Sequence, residues 1–172
     1  IRYGMELDEN LHLRAYGKYF NRDRFVTLDD EDRPDDWDMM RGGFRMDWEG
    51  KDGYALTVQG DTYGSGRVGH SFTEPLPFDP FSIERPEDQG VEGTNVLFRL
   101  QREVDDRNGW SLQGYYDRTE RASSLLSEDR DTFDLEYRHY FALGDRHDII
   151  WGTGFRHSSD DVGESFSLHF QD

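Results

Sequence analysis

Hydrophobic and polar residues alternate along most of this chain. Ile1, Tyr3, Met5 and Leu7 stand against Arg2, Gly4 and Glu6. The same period of two carries Leu11, Leu13, Ala15 and Tyr19 against His12, Arg14, Tyr16 and Lys18, then Phe44, Met46 and Trp48 against Arg45, Asp47 and Glu49. It continues with Tyr54, Leu56 and Val58 against Thr57, Gln59 and Asp61, and with Val96, Phe98 and Leu100 against Arg99, Gln101 and Glu103. Trp110, Leu112 and Tyr116 oppose Ser111, Gln113 and Asp117; Phe133, Leu135, Tyr137 and Phe141 oppose Asp134, Glu136 and Arg138; Ile149, Trp151 and Phe155 oppose Gly152, Gly154 and Arg156. Successive side chains of an extended strand point to opposite faces, so each run predicts a strand with one apolar and one polar face. A ninth strand is predicted at Phe166, Leu168 and Phe170. No helical stripe competes, since the nearest candidate, Ala122 to Leu126, is too short. The expected fold is all-β: an antiparallel up-and-down meander of eight to nine strands in one domain over residues 1–172. It forms either a complete small β-barrel or a segment of a larger one.

The connections alternate too. Asp8-Glu9-Asn10, Glu49 to Gly53, Asp105 to Gly109 and Ala142 to His147 are short and rich in Gly, Asn and Asp, the residues that tolerate positive φ. The intervening loops are expected to be long, at about residues 21–39, 63–93, 119–130 and 157–165. Short turns at one rim and long loops at the other is the layout of an outer-membrane barrel. All five prolines fall in the long stretches, outside the predicted strands. Trp48, Tyr54, Trp110, Phe141 and Trp151 gather near the short turns, where rings suit either a membrane-interface girdle or a sandwich core.

Composition narrows the classes. Of 172 residues 34% are hydrophobic and 15% aromatic, so rings carry much of the apolar surface and the chain is unlike a disordered one. The net charge of -17, from 37 acidic and 20 basic residues, repels phosphate backbones and argues against a nucleic-acid partner. Cations are the natural counter-species, and salt adaptation carries the same excess. With no cysteine, disulfides, thiolate metal sites and thiol nucleophiles are excluded. No stretch approaches the roughly 18 apolar residues of a membrane-crossing helix. The alternation is already running at Ile1, which is not Met, as expected of a piece of a longer chain or of a matured one.

Two arrangements share this pattern. In a membrane barrel the apolar face meets lipid and the polar face lines the lumen; in a soluble barrel or sandwich the faces are reversed. Arg14, Lys18, Arg45, Asp47, Arg99, Glu103, Asp117, Glu136 and Arg138 lie on the polar face and are the candidate ligand-facing residues. So many charges need a wide wet lumen or open solvent, because an unpaired buried charge is prohibitive.

Several segments resemble strands of TonB-dependent outer-membrane receptors. They are Arg41-Gly42-Gly43-Phe44-Arg45-Met46-Asp47-Trp48, Leu56-Thr57-Val58-Gln59-Gly60-Asp61-Thr62-Tyr63 and Trp110 to Thr119. Asp131 to His139 followed by Ile150 to Arg156 is similar as well. The resemblance covers most of the chain through many short motifs. It implies a plug inside a barrel of about 22 strands that takes up metal chelates, cobalamin or sugars with energy from TonB. This chain would then hold roughly the first third of that barrel. The plug and its TonB box are not among these residues, so TonB would be met only through a plug domain. Outer-membrane lipid and a small-molecule or metal-chelate ligand would be the partners, and open strand edges would favour homo-oligomers. The alternative is a self-contained, soluble acidic β-barrel, periplasmic or secreted, that binds a small ligand or cations.

Chemistry-bearing motifs are weak by comparison. The six His are scattered without ligand spacing. Asp29, Asp30, Asp32, Asp35 and Asp36 are candidates for a hard cation, but they lack the Gly-punctuated calcium-loop pattern, and a solvated acidic loop is the simpler reading. The same holds for Glu128, Asp129 and Asp131 and for Asp160, Asp161 and Glu164. Gly64-Ser65-Gly66 is not followed by Gly-Lys-Ser/Thr, and there is no Gly-x-Ser-x-Gly elbow. An outer-membrane barrel enzyme would need a converged catalytic set. None is visible, no catalytic residue is assigned and no cofactor is expected, so the chain is read as a non-enzyme.

Overall fold

The structure is a computed structural model, and it describes residues 1–26, 35–123 and 126–163. Eight strands follow in chain order: β1 (Arg2–Asp8), β2 (Leu11–Arg22), β3 (Trp37–Glu49), β4 (Tyr54–Pro75), β5 (Ser82–Asp105), β6 (Asn108–Ala122), β7 (Ser127–Leu143) and β8 (His147–Gly163). They form one antiparallel sheet in the order β1 to β8, each strand pairing with its sequence neighbours. The all-β meander read from the alternation is therefore the fold. The proposed ninth strand at Phe166, Leu168 and Phe170 lies outside the described residues.

Pairing places directly opposed residues on one face. Met5, Leu13, Met46, Val58, Phe98, Gly114, Leu135 and Phe155 are successive register partners across all eight strands. Parallel rows on the same face run through Trp48, Leu56, Leu100, Leu112 and Tyr137, and through Phe44, Gly60, Val96, Tyr116 and Phe133. The Phe98 ring lies over Gly114, where a Cβ would fall 2.2 Å from Cε1, so the missing side chain is filled by its neighbour. The result is a continuous apolar band on one side of a single layer. Among the described residues no hydrophobic side chain is buried, and Phe155 is 61% exposed. The chain exposes 13037 Å², against about 8,800 Å² expected for a compact monomer of this mass.

Among the described residues β1 pairs only with β2, and β8 only with β7, so the sheet is not closed by hydrogen bonds. Among the described residues the complete small barrel left open by the sequence is not formed.

Tight turns gather at one rim, as expected. Asp52 and Gly53 adopt φ of 58° and 76° between β3 and β4, and Gly144 adopts 64° between β7 and β8. At the opposite rim the boundaries differ from the sequence reading. Residues 63–93 are not a long loop: β4 and β5 run on through them as a hairpin whose tip is residues 76–81, with Phe78 and Phe81 exposed. Beyond the Val68–Gln89 pair these two strands touch no other strand. This explains Pro86, which lies inside β5 opposite Ser71 rather than in a loop. On a two-stranded ribbon one side of each strand is an edge, where a missing N–H breaks no ladder. The other long stretches shrink likewise, with β6 reaching Ala122, β7 starting at Ser127 and β8 reaching Gly163.

Replacing Gly53 tests the turn geometry. A Cβ there would sit 1.8 Å from the Glu103 carbonyl oxygen, whereas one at Gly144 would meet nothing within 4 Å. Gly53→Ala is expected to destabilise by clearly more than the ~1 kcal/mol typical of Ala at positive φ, and Gly144→Ala by about that amount. Unfolding in urea with the folded sheet in detergent would measure both.

Candidate functional site

The face opposite the apolar band carries all nine candidate ligand-facing residues. His12, Asp47, Thr57, Arg99, Gln113 and Glu136 are successive partners in one row. The next row runs through Arg14, Arg45, Gln59, Leu97, Tyr115, Asp134 and Arg156. Asp117 lies opposite Asn95 and Thr132, Arg138 opposite Ser111 and Gly152, and Lys18 opposite Arg41. Glu103 lies apart, opposite Gly109 beside the β5–β6 turn.

Some of these groups meet. Arg45 clamps Asp47 with two bonds, Nε to Oδ2 at 2.7 Å and Nη2 to Oδ1 at 2.9 Å, and Thr57 donates to the same carboxylate at 2.8 Å. Arg45 also reaches Gln59 at 3.3 Å. Arg99 donates to Gln113 at 2.9 Å, Arg138 to Glu136 at 3.1 Å, and Tyr115 to Asp117 at 2.9 Å. Strands in a sheet lie about 4.8 Å apart, so these clusters are spread over the width of the face and do not converge on one point. Such a surface can line a polar passage or hold a ligand by several small contacts. It offers no focused acid–base or nucleophile pair.

Position in the alternation also supplies residues that the candidate set omits. Arg41 donates to Asp61 at 2.6 Å, and Arg156 to Asp134 at 2.8 Å. Asp61 is on the predicted polar face and Arg41 sits just before its strand run, so counting by two would have found both.

The acidic cation candidates behave as structural groups where they are described. The Oδ1 of Asp35 accepts the Phe25 amide at 2.9 Å. Asp36 receives Arg24 at 3.2 Å on one oxygen and Arg67 at 3.3 Å on the other, and Arg67 continues to Asp88 at 2.8 Å. The hydrogen bond to Asp88, then the nearby Asp36 charge, raise the pKa of Arg67. This chain of pairs ties the segment before β3 to the β4–β5 ribbon. Asp29, Asp30 and Asp32 lie outside the described residues. Among the described residues no group of three or more His, Asp or Glu is placed to hold a metal ion.

On the apolar face the short-turn rim is aromatic. Tyr54, Arg102, Trp110, His139 and Trp151 form one register row. Tyr137 and Trp151 approach to 5.4 Å between centroids, His139 and Phe141 to 5.1 Å, and Trp151 Nε1 donates to His139 Nδ1 at 3.2 Å. Trp48 lies one row farther in, opposite Leu11 and Leu56. His139, one of the scattered histidines, is thus part of the aromatic rim, a role signalled only by its place in the alternation.

Comparison with protein-family models, with curated proteins and with solved structures finds no significant match to this chain.

A double-mutant cycle on Arg45 and Asp47 would weigh the best-formed pair. Their side chains are 41% and 39% exposed, so solvent screening keeps the coupling at about 0.5–1 kcal/mol. Asp47→Ala alone is expected to cost about 1 kcal/mol, since it also strips an acceptor from Thr57. Chemical denaturation of the four variants gives both numbers.

Proposed function

We propose that this chain is a segment of the wall of an outer-membrane transport barrel of the TonB-dependent receptor type, with its apolar face against lipid and its charged face toward the lumen. In this role it is not an enzyme. It helps enclose the path of a metal chelate or other small nutrient, and contact with TonB belongs to a plug domain that these residues do not include.

The observation that carries the reading is the apolar band: eight strands in register gather most of their large hydrophobic residues on one side, and among the described residues none of these side chains is fully buried. Its height fits. Leu11 to Tyr19 spans about 27 Å along the strand, which a tilt of about 40° reduces to about 21 Å, near the ~25 Å apolar belt of outer-membrane barrels. The aromatic row at the short-turn rim supplies the flanking girdle. The resemblance of the Arg41–Trp48 and Trp110–Thr119 segments to receptor strands points the same way. Covering one large apolar side chain is worth about 1.5–3 kcal/mol, so a band this extended strongly favours lipid over water.

Two measurements test the orientation. Vesicles containing lipids brominated along the acyl chain are expected to quench Trp110 and Trp151 in the inserted protein. Leu135→Arg, in the middle of the band, is expected to lower the stability of the inserted state by about 2–4 kcal/mol, while Asn95→Arg on the charged face, opposite Asp61 and Asp117, does not lower it. Unquenched tryptophans in a monodisperse, detergent-free species would instead assign the chain to the soluble barrel class.

A further inference from the structure

The cations on the charged face are unevenly distributed. Toward β8 most of them are neutralised: Arg130 pairs with Asp160 and Glu128, Arg138 with Glu136, and Arg156 with Asp134. On β1 and β2 the situation reverses. Arg2, Arg14, Lys18 and Arg22 share this face, and among the described residues none of them forms an ion pair with a carboxylate. This is a concentrated positive stripe in a chain whose net charge is -17.

Two of these cations rest on rings instead of carboxylates. The charged side of β2 alternates Arg14, Tyr16, Lys18, Phe20 and Arg22. The Lys18 ammonium lies 4.9 Å from the Phe20 ring centre, and the Arg22 guanidinium 5.5 Å from that of Trp37. A cation on an aromatic face keeps its full charge for a third partner. Register adds to the positive potential, because Arg14 opposes Arg45 and Lys18 opposes Arg41. Like charges directly opposite destabilise a sheet. Arg41 and Arg45 form ion pairs with Asp61 and Asp47; Arg14 acts on Asp47 only through space, and Lys18 has no ion pair among the described residues. The same residues shape a shallow groove of about 460 Å³, lined by Ile1, Arg2, Arg14, Tyr16, Gly17 and Lys18.

We propose that this groove binds an elongated organic polyanion, with its acidic groups held by Arg14 and Lys18 and its body lying across the Tyr16 ring. Arg14 and Lys18 are four positions apart on one strand, about 14 Å between backbones, with Tyr16 midway. The spacing favours a flat anion charged at both ends over a single compact ion. The inference rests on the lumen reading of the charged face and narrows its solute to an anionic class.

The test is a fluorescence-anisotropy titration of the whole chain with pyrene-1,3,6,8-tetrasulfonate, a flat aromatic tetra-anion. It is run in neutral detergent, or in plain buffer if the chain proves soluble, so the outcome does not depend on membrane insertion. Saturable binding is expected to weaken by at least about tenfold in Arg14→Gln/Lys18→Gln, corresponding to about 1.4 kcal/mol. The charge-keeping pair Arg14→Lys/Lys18→Arg should retain it, and the control pair Arg107→Gln/Arg130→Gln, two cations outside the candidate set that pair with Asp148 and Asp160, should bind nearly as the native chain does. Equal loss in both Gln pairs, or none in Arg14→Gln/Lys18→Gln, overturns the proposal. If the neutralised pair fails to fold, the native chain decides: affinity must fall steeply as salt is raised from low to high ionic strength, and a salt-independent affinity overturns the site. Brominated-lipid quenching with no anion binding would leave the barrel-wall reading standing and remove this inference alone.

Discussion

Everything in this molecule depends on the register of one antiparallel ladder. Because side chains alternate strictly, a slip of one residue between any two strands would carry a whole apolar set to the charged side. From Met5 to Phe155 no such slip occurs in the body of the sheet. The irregularities that do occur lie near turns or the outer rim, at Glu6/Asp8, Asp38/Met39, Gly64/Val68 and Glu103/Asp105. The backbone bonds hold the layer together, and the two-sided chemistry selects which bonds form.

The two faces then solve different problems. Among the described residues the apolar face has no partner layer, so it gains burial only when something apolar covers it. The charged face satisfies itself locally toward β8 through short cross-strand and same-strand pairs. Most of these are half-exposed and individually weak. Their value is to keep a carboxylate-rich surface from repelling itself. Where that local neutralisation stops, on β1 and β2, the surface keeps charge available for something else.

Much of the fold was legible from residue types alone. Strand existence, hairpin order and the face of each side chain follow from a period of two and from Gly, Asn and Asp at the turns. The misread stretch is instructive: residues 63–93 contain Pro, Gly and acidic residues and alternate poorly, so they look like a loop. They become strand because β4 and β5 need only each other to satisfy their backbones, and a solvated ribbon imposes no hydrophobic pattern. Of the candidate surface, the identities on the charged face were readable by counting alternate positions. The Arg41–Asp61 and Arg156–Asp134 pairs were not, because they join residues 20 and 22 positions apart.

The sequence by itself determined which segments extend, where they bend and which side chains share a side, since these are local consequences of steric preference and strict alternation. The tertiary structure alone decided which charges meet and which stand unneutralised. It also decided that the eight strands remain an open layer. Those outcomes depend on through-space distances between side chains on different strands and on whether the edge strands meet, and the alternation within each strand encodes neither.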